Sequence, residues 1–165
     1  MIVVSNTSPI CYLVLIDAIN VLPQLYGQVI IPQAVCSELA ASGSPLILQE
    51  WIANPPPWLI IQAVDLVEDD SLLTLDLGER NAIFLAERLK ANLIILDEQE
   101  ARRIAIDRGL KVIGLLGVFY QAAIRDLIDL AESLERLKQT NFRASSSLFN
   151  SLLARYQNEL NNRNR

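Results

Sequence analysis

The sequence predicts an α/β fold in which a parallel central sheet of about five strands is sandwiched between helices. Three observations point there. The chain opens on Ile2-Val3-Val4, a continuous β-branched run suited to a strand buried on both faces. Short apolar runs then alternate with helix-like segments along the chain. The spacing between those runs leaves room for the crossover helices that parallel pairing needs.

Taken in order, the first strand stops in Asn6-Thr7-Ser8, with Ser8 expected as helix N-cap and Pro9 as the first helical residue. A strand feeding a helix through a polar turn places that turn at the carboxyl edge of the sheet, where open α/β folds keep their sites. Ile19 to Tyr26 reads as a second helical piece closed by Gly27. Val29-Ile30-Ile31 is a short strand, and Pro32 opens a helix over Gln33 to Ala41. After the loop Ser42-Gly43-Ser44-Pro45, Leu46 to Ala53 looks helical, and Pro55-Pro56-Pro57 is a stiff connector. Trp58 to Val64 follows as a strand, placed at an edge because prolines precede it.

Asp65 to Thr74 reads as irregular or a short helix. Glu79 to Leu89 is a helix with Ala82, Ile83, Leu85, Ala86 and Leu89 on its apolar side, and Leu93 to Leu96 is a buried strand. Glu98 to Arg108 is a helix stopped by Gly109, and Lys111 to Ile113 is the last strand. Helices over Leu115 to Ile124, Leu127 to Leu137 and about Ser146 to Leu160 complete a single domain, residues 1–160. The polar tail Asn161 to Arg165 is expected to fray.

Composition narrows the chemistry. The chain has 165 residues, 52% apolar and 20% charged, enough for one full core. It contains no histidine, which removes Ser-His and Cys-His nucleophilic catalysis and the usual zinc sites. Any reaction here belongs to carboxylates, hydroxyls, lysines or a metal held by oxygen. Cys11 and Cys36 form no C-x-x-C pair and read as buried, reduced thiols. No apolar run reaches the roughly 18 to 20 residues of a membrane helix, and the chain opens on a strand rather than a signal peptide; a cytoplasmic location is the expectation.

The net charge of −5 is unevenly spread. Residues 1–79 carry nine acids and no base, whereas residues 80–165 carry ten acids and all 14 bases, a balance of +4. A polyanion can approach the second half while carboxylates wait in the first, although late surface helices also need solubilising charge.

The acids beside strand ends are the candidates. Asp97 directly follows Leu93 to Leu96, so its carboxylate projects from the carboxyl edge of a strand; Asp97 to Glu100 also has capping-box spacing. Asp76-Leu77-Gly78-Glu79 fits a capping box too. Glu38 is the only charged residue between Ala18 and Gln49, a position equally open to a solvated helix face.

Taken together, these segments resemble the PIN-domain nucleases, in the bacterial branch related to VapC-like toxins. The likeness rests on Ile2 to Ile10, on Val29-Ile30-Ile31-Pro32 through Val35 to Glu38-Leu39, on Leu77-Gly78-Glu79 with Ala82-Ile83, and on Leu93 to Asp97, in that order. Gly109 to Gly114 and Asn141-Phe142-Arg143 add to it, so the resemblance spans roughly residues 1 to 155.

That resemblance implies a PIN-like three-layer sandwich around a five-stranded parallel sheet, and a metal-dependent RNA-cleaving activity. Asn6, Glu38, Glu79 and Asp97 would hold Mg²⁺ or Mn²⁺, with Glu38, Glu79 and Asp97 as the catalytic acids and Thr7 or Ser8 as the adjacent hydroxyl. Arg80, Arg102, Arg103 and Arg108 lie on the two helices flanking this site and are candidates to hold phosphate; being adjacent, Arg102 and Arg103 cannot fully share a face, so one alone is expected to matter. The implied partners are an RNA substrate, a small antitoxin and a second copy of the chain, with no membrane.

Two departures from the pattern stand out. Asn6 occupies a position that most such nucleases give to Asp, and Asn81-Ala82 holds a register where many relatives have an acid, with Glu79 two residues earlier. Glu79 is therefore either a ligand or a helix cap. A degenerate domain that binds RNA or a protein without cutting is the alternative reading, supported by Asn6. A nucleotide-binding module is a third, hinted at only by Gly114-Leu115-Leu116-Gly117, which lacks G-x-G-x-x-G spacing.

Overall fold

The computed structural model describes residues 1–65 and 68–165. Its sheet contains β1 (Val3–Ser5), β2 (Val29–Pro32), β3 (Leu59–Gln62), β4 (Leu93–Ile95) and β5 (Val112–Ile113), all parallel, in the order β3-β2-β1-β4-β5. The proline-preceded strand, β3, is an edge strand as expected, though shorter than Trp58 to Val64. The helices are α1 (Thr7–Leu15), α2 (Val21–Tyr26), α3 (Gln33–Ala40), α4 (Leu46–Ala53), α5 (Leu77–Arg88), α6 (Gln99–Asp107), α7 (Leu115–Ile124), α8 (Leu130–Lys138) and α9 (Ser146–Arg163).

The β-branched opening behaves as its composition requires. Val3 and Val4 are both fully buried but point into different cores, because successive strand residues face opposite sides. Val3, Val29, Ile31, Leu93 and Ile95 pack with α1 to α4 and α7 to α9. Val4, Ile94 and Leu96 pack with α5 and α6. Helices thus cover both faces of the sheet, giving the three layers. Each fully buried aliphatic side chain contributes roughly 1.5–3 kcal/mol.

The strand order reverses at β1. The chain builds outward to β2 and β3 on one side and to β4 and β5 on the other, so the crevice between the carboxyl ends of β1 and β4 is a topological switch point. Register places Ser5 opposite Ile95, which leaves Asn6 one residue beyond β1 and Asp97 two residues beyond β4.

Several boundaries differ from the sequence expectations, each for a local reason. α1 starts at Thr7 with Asn6, not Ser8, at the N-cap; Pro9 is tolerated in the first turn because N–H groups there lack helical partners. α8 starts at Leu130, since the Asp129 carboxylate accepts the Glu132 N–H at 2.9 Å and Asp126 turns the chain with φ 59°. The terminal residues expected to fray continue α9 to Arg163, whose guanidinium donates to the Ile124 carbonyl at 2.8 Å.

Cys11 and Cys36 are free but only half-buried, rather than buried. Of the stretch expected to be irregular or helical, Asp70–Leu72 forms a single 3₁₀ turn capped by Asp69, and residues 66 and 67 lie outside the described residues. Among the described residues no helix is long and apolar enough to cross a membrane.

Candidate functional site

Asn6 sits where β1 gives way to α1. Its backbone N–H extends the ladder by donating to the Ile95 carbonyl at 3.1 Å. An N-cap asparagine ordinarily turns its side-chain oxygen onto the first helical turn, worth about 1 kcal/mol. Asn6 makes no such bond; the residue is 3% exposed, and its Oδ1 is buried without a hydrogen-bond partner among the described residues. Leaving a buried acceptor unsatisfied costs roughly 1–3 kcal/mol, so this oxygen is an acceptor open to a water or a cation.

Asp97 follows β4 in the same way. It does not cap α6, contrary to its capping-box spacing, because Glu98 takes the N-cap position without a side-chain bond. Instead Asp97 Oδ1 accepts the Leu115 N–H at 2.8 Å, at the positive end of α7. Its other oxygen, Oδ2, is buried and unpartnered among the described residues. Burial pushes the Asp97 carboxyl upward, against the Leu115 bond and the nearby Arg102 charge, which favour ionisation.

Glu38 reaches the same edge from α3. Its carboxylate accepts the Thr7 hydroxyl and, at 3.2 Å, the Gly78 N–H. Gly78 permits this approach: a Cβ there would lie 2.6 Å from Glu38 Oε1 unless that carboxylate shifted. Glu79 is next, and the capping box expected with Asp76 is present in both directions, at 2.8 and 3.2 Å. Burial first, then the neighbouring Asp76 charge, pushes Glu79 up to about 7.

The hydrogen bonds tie the four predicted residues to different partners. Glu38 is joined to Thr7 and Gly78, with Glu79 beside them; Asn6 and Asp97 flank the switch point. Among the described residues no three acidic or thiol side chains stand together as a metal cage. The residues still fit a hard cation, since an orphaned amide oxygen and an orphaned carboxylate oxygen lie beyond neighbouring strands. Mg²⁺ commonly takes only one or two carboxylates and completes its shell with water and substrate phosphate.

A cleft of about 750 Å³ opens beside Asp97 and includes Ser8, Tyr12, Glu98, Arg102, Asn141, Phe142 and Arg143. Arg102 is pinned by donating to the Leu96 carbonyl at 3.0 Å. Of the adjacent pair, Arg102 faces the cleft, while Arg103 is exposed and paired with Asp107 at 3.5 Å. Arg108 is not available to phosphate in the way its position suggested. Glu87 at 2.5 Å and Asp69 at 2.9 Å neutralise it and make it a tie between α5, the end of α6 and the 3₁₀ turn. Arg80 lies outside the cleft lining, half-buried.

Sequence reasoning does not single out Tyr12, Asn141, Phe142 or Arg143 as site residues. They meet across 129 positions, where Tyr12 Oη donates to Asn141 Oδ1 at 2.9 Å. The Tyr12 and Phe142 rings stand edge to face, with centroids 5.2 Å apart. Burial, and then the nearby Cys11, Asp97 and Glu98, keep the Tyr12 phenol protonated.

This arrangement, with acids and an amide at the β1/β4 switch point of a five-stranded parallel sheet, can be compared with known families. A family model described as PIN domain matches residues 2–158. The chain belongs to the PIN-domain family. No curated protein and no solved structure matches it. As a PIN domain it has a nuclease-type fold, and the family's use of divalent metal agrees with the oxygen-only donor set around Asn6 and Asp97.

Proposed function

We propose that this PIN domain is a divalent-metal-dependent ribonuclease whose cation, Mg²⁺ or Mn²⁺, is held by Asn6 Oδ1 and Asp97 Oδ2. The observation that carries the proposal is the pair of buried oxygens, unpartnered among the described residues, that follow adjacent strands; of the two residues Asp97 lines a cleft that also bears Arg102 and Arg143. The bound cation would supply Lewis-acid stabilisation of charge on the attacked phosphate.

The protein's own groups do the rest. Arg102 and Arg143 attract and orient the phosphate backbone. Glu79, with its carboxyl near 7, is balanced to exchange a proton at neutral pH, and the Asp76 N–H fixes it in place. Glu38 holds Thr7 against α5 and so fixes the turn that carries Asn6.

The role as the toxin of a toxin–antitoxin pair rests on the resemblance to the VapC-like branch. Growth arrest on expression, relieved by co-expressing a neighbouring small reading frame, tests it.

Asp97→Asn tests the catalytic proposal. The amide oxygen still accepts the Leu115 N–H, so α7 stays anchored while the charge is removed. The wild-type melting temperature should rise with Mn²⁺, since ligand at 100 times its Kd adds about 2.7 kcal/mol, and a labelled RNA should be cut. The variant should lose both effects. A wild-type protein that binds RNA but neither binds Mn²⁺ nor cuts would be the non-cleaving module that Asn6 also allows.

A further inference from the structure

The ribonuclease reading needs a phosphate beside Asp97. The same cleft is also lined by groups that no phosphate needs: two aromatic rings and a side-chain amide. We infer that Tyr12, Asn141 and Phe142 form a subsite for one unpaired RNA base next to the scissile phosphate, selecting bases with a carbonyl edge, uracil or guanine, over cytosine or adenine. The inference rests on the ribonuclease reading for its substrate class, and it adds which feature of that substrate is read.

Three features carry it. The rings line the cleft together with Arg143, and an aromatic face with an adjacent arginine is what a splayed-out base stacks on. A duplex keeps its bases stacked on each other, so the subsite takes single strands. The Asn141 amide then supplies a choice. Its Oδ1 accepts from the Tyr12 hydroxyl, which fixes the sense of the amide with the oxygen towards Tyr12 and the N–H donors turned away from it, as the group offered to a ligand. A donor pairs with O4 of uracil or O6 of guanine and confronts the exocyclic amine of cytosine or adenine. The carbonyl preference is therefore set by Tyr12, which holds the amide in one sense.

The test uses short fluorescent oligouridine and oligocytidine, which differ at this edge by O4 against N4, bound to the full chain with Ca²⁺ present and Mg²⁺ and Mn²⁺ withheld. The wild type should bind oligouridine about five- to tenfold more tightly than oligocytidine. Tyr12→Phe should reduce that ratio towards one, because the released amide can turn over and present Oδ1 to the cytosine amine, so that oligocytidine binding tightens relative to oligouridine. Phe142→Ala should weaken both oligomers about tenfold. Since Phe142 also packs against the core, Phe142→Leu keeps the apolar contact without the stacking face and should show the same loss with an unchanged melting curve.

Equal binding of the two oligomers by wild type, or a Tyr12→Phe ratio unchanged from wild type, overturns the base-reading inference. That result leaves Mn²⁺ binding and cleavage by wild type, and their loss in Asp97→Asn, untouched. Conversely, a uridine preference that depends on Tyr12 in a protein that never cuts RNA supports the subsite and refutes the nuclease proposal.

Discussion

Two side chains carry opposite charge problems at this site. Asn6 is neutral where a fourth acid is expected, and its oxygen is buried without a partner among the described residues. Asn6→Asp should lower the stability of the metal-free protein by about 1–2 kcal/mol, because a buried carboxylate near Asp97 must either stay charged or take up a proton. With Mn²⁺ the order should change: a charged donor holds the cation roughly tenfold more tightly, about 1.4 kcal/mol. Thermal melts of both proteins with and without Mn²⁺ measure both effects, and equal Mn²⁺ shifts would remove Asn6 from the site. Glu79 has the converse problem, a carboxyl raised from 4.5 to about 7 by burial. A raised acid contributes stability that is complete below about pH 4.5 and lost as pH climbs through 7. Glu79→Gln keeps the capping box, which accepts Gln at that position, and removes the titration. It should be about 1 kcal/mol more stable than wild type at pH 8, after allowing for screening by solvent, and nearly equal at pH 5. Denaturant melts at the two pH values decide this.

The elements matter because each functional group sits at an end of one. α5 brings its first turn against α3 so closely that Gly78 and the Glu38 carboxylate leave no room for a Cβ. Gly78→Ala should push that carboxylate off the Gly78 N–H and loosen its hold on Thr7. The backbone need not move, since the obstacle is the end of a flexible side chain. Alanine also favours helix by up to about 1 kcal/mol, so stability should change little while RNA cleavage falls several-fold. A melting temperature several degrees lower would instead mean that Gly78 serves the fold. α7 is fixed by the same logic, with its Leu115 N–H on Asp97. One carboxylate therefore both anchors a helix and faces the cleft.

At the scale of the molecule, the late-chain bases do not act as one field. Arg102 and Arg143 line the cleft, Arg103 stands apart, and Arg108 is neutralised by two acids. Each phosphate contact to a single strand adds about 0.7 to the slope of log affinity against log salt. Arg143→Ala should reduce that slope by about this amount. Arg108→Ala should leave it unchanged and instead lower stability by about 1 kcal/mol, as expected for a partly exposed ion-pair network. Titrations of oligouridine at several salt concentrations separate the two; a loss of slope with Arg108→Ala would return that arginine to the RNA surface.

The order of elements was legible because it depends on local composition. Apolar runs such as Val3-Val4 and Leu93 to Leu96 favour burial over solvation, although Ile2 at the head of the first stays exposed, and the prolines before β3 exclude it from the sheet interior. The strand-end positions of Asn6 and Asp97 followed from the same runs. What those side chains bond to did not follow, because spacing alone cannot tell a cap from a contact made across the fold. Asp76 and Glu79 closed the capping box their spacing suggests, while Asp97, with the same spacing, turned to α7. Arg108 looked like a phosphate ligand until Asp69 and Glu87 folded onto it. Tyr12 and Asn141, 129 residues apart, carry no shared signal in one chain. Sequence determined which backbone groups had to pair and which side chains had to be buried; the packing of α7 onto Asp97 and of residues 141–143 into the cleft lining decided which polar atoms found partners and which two oxygens, among the described residues, did not.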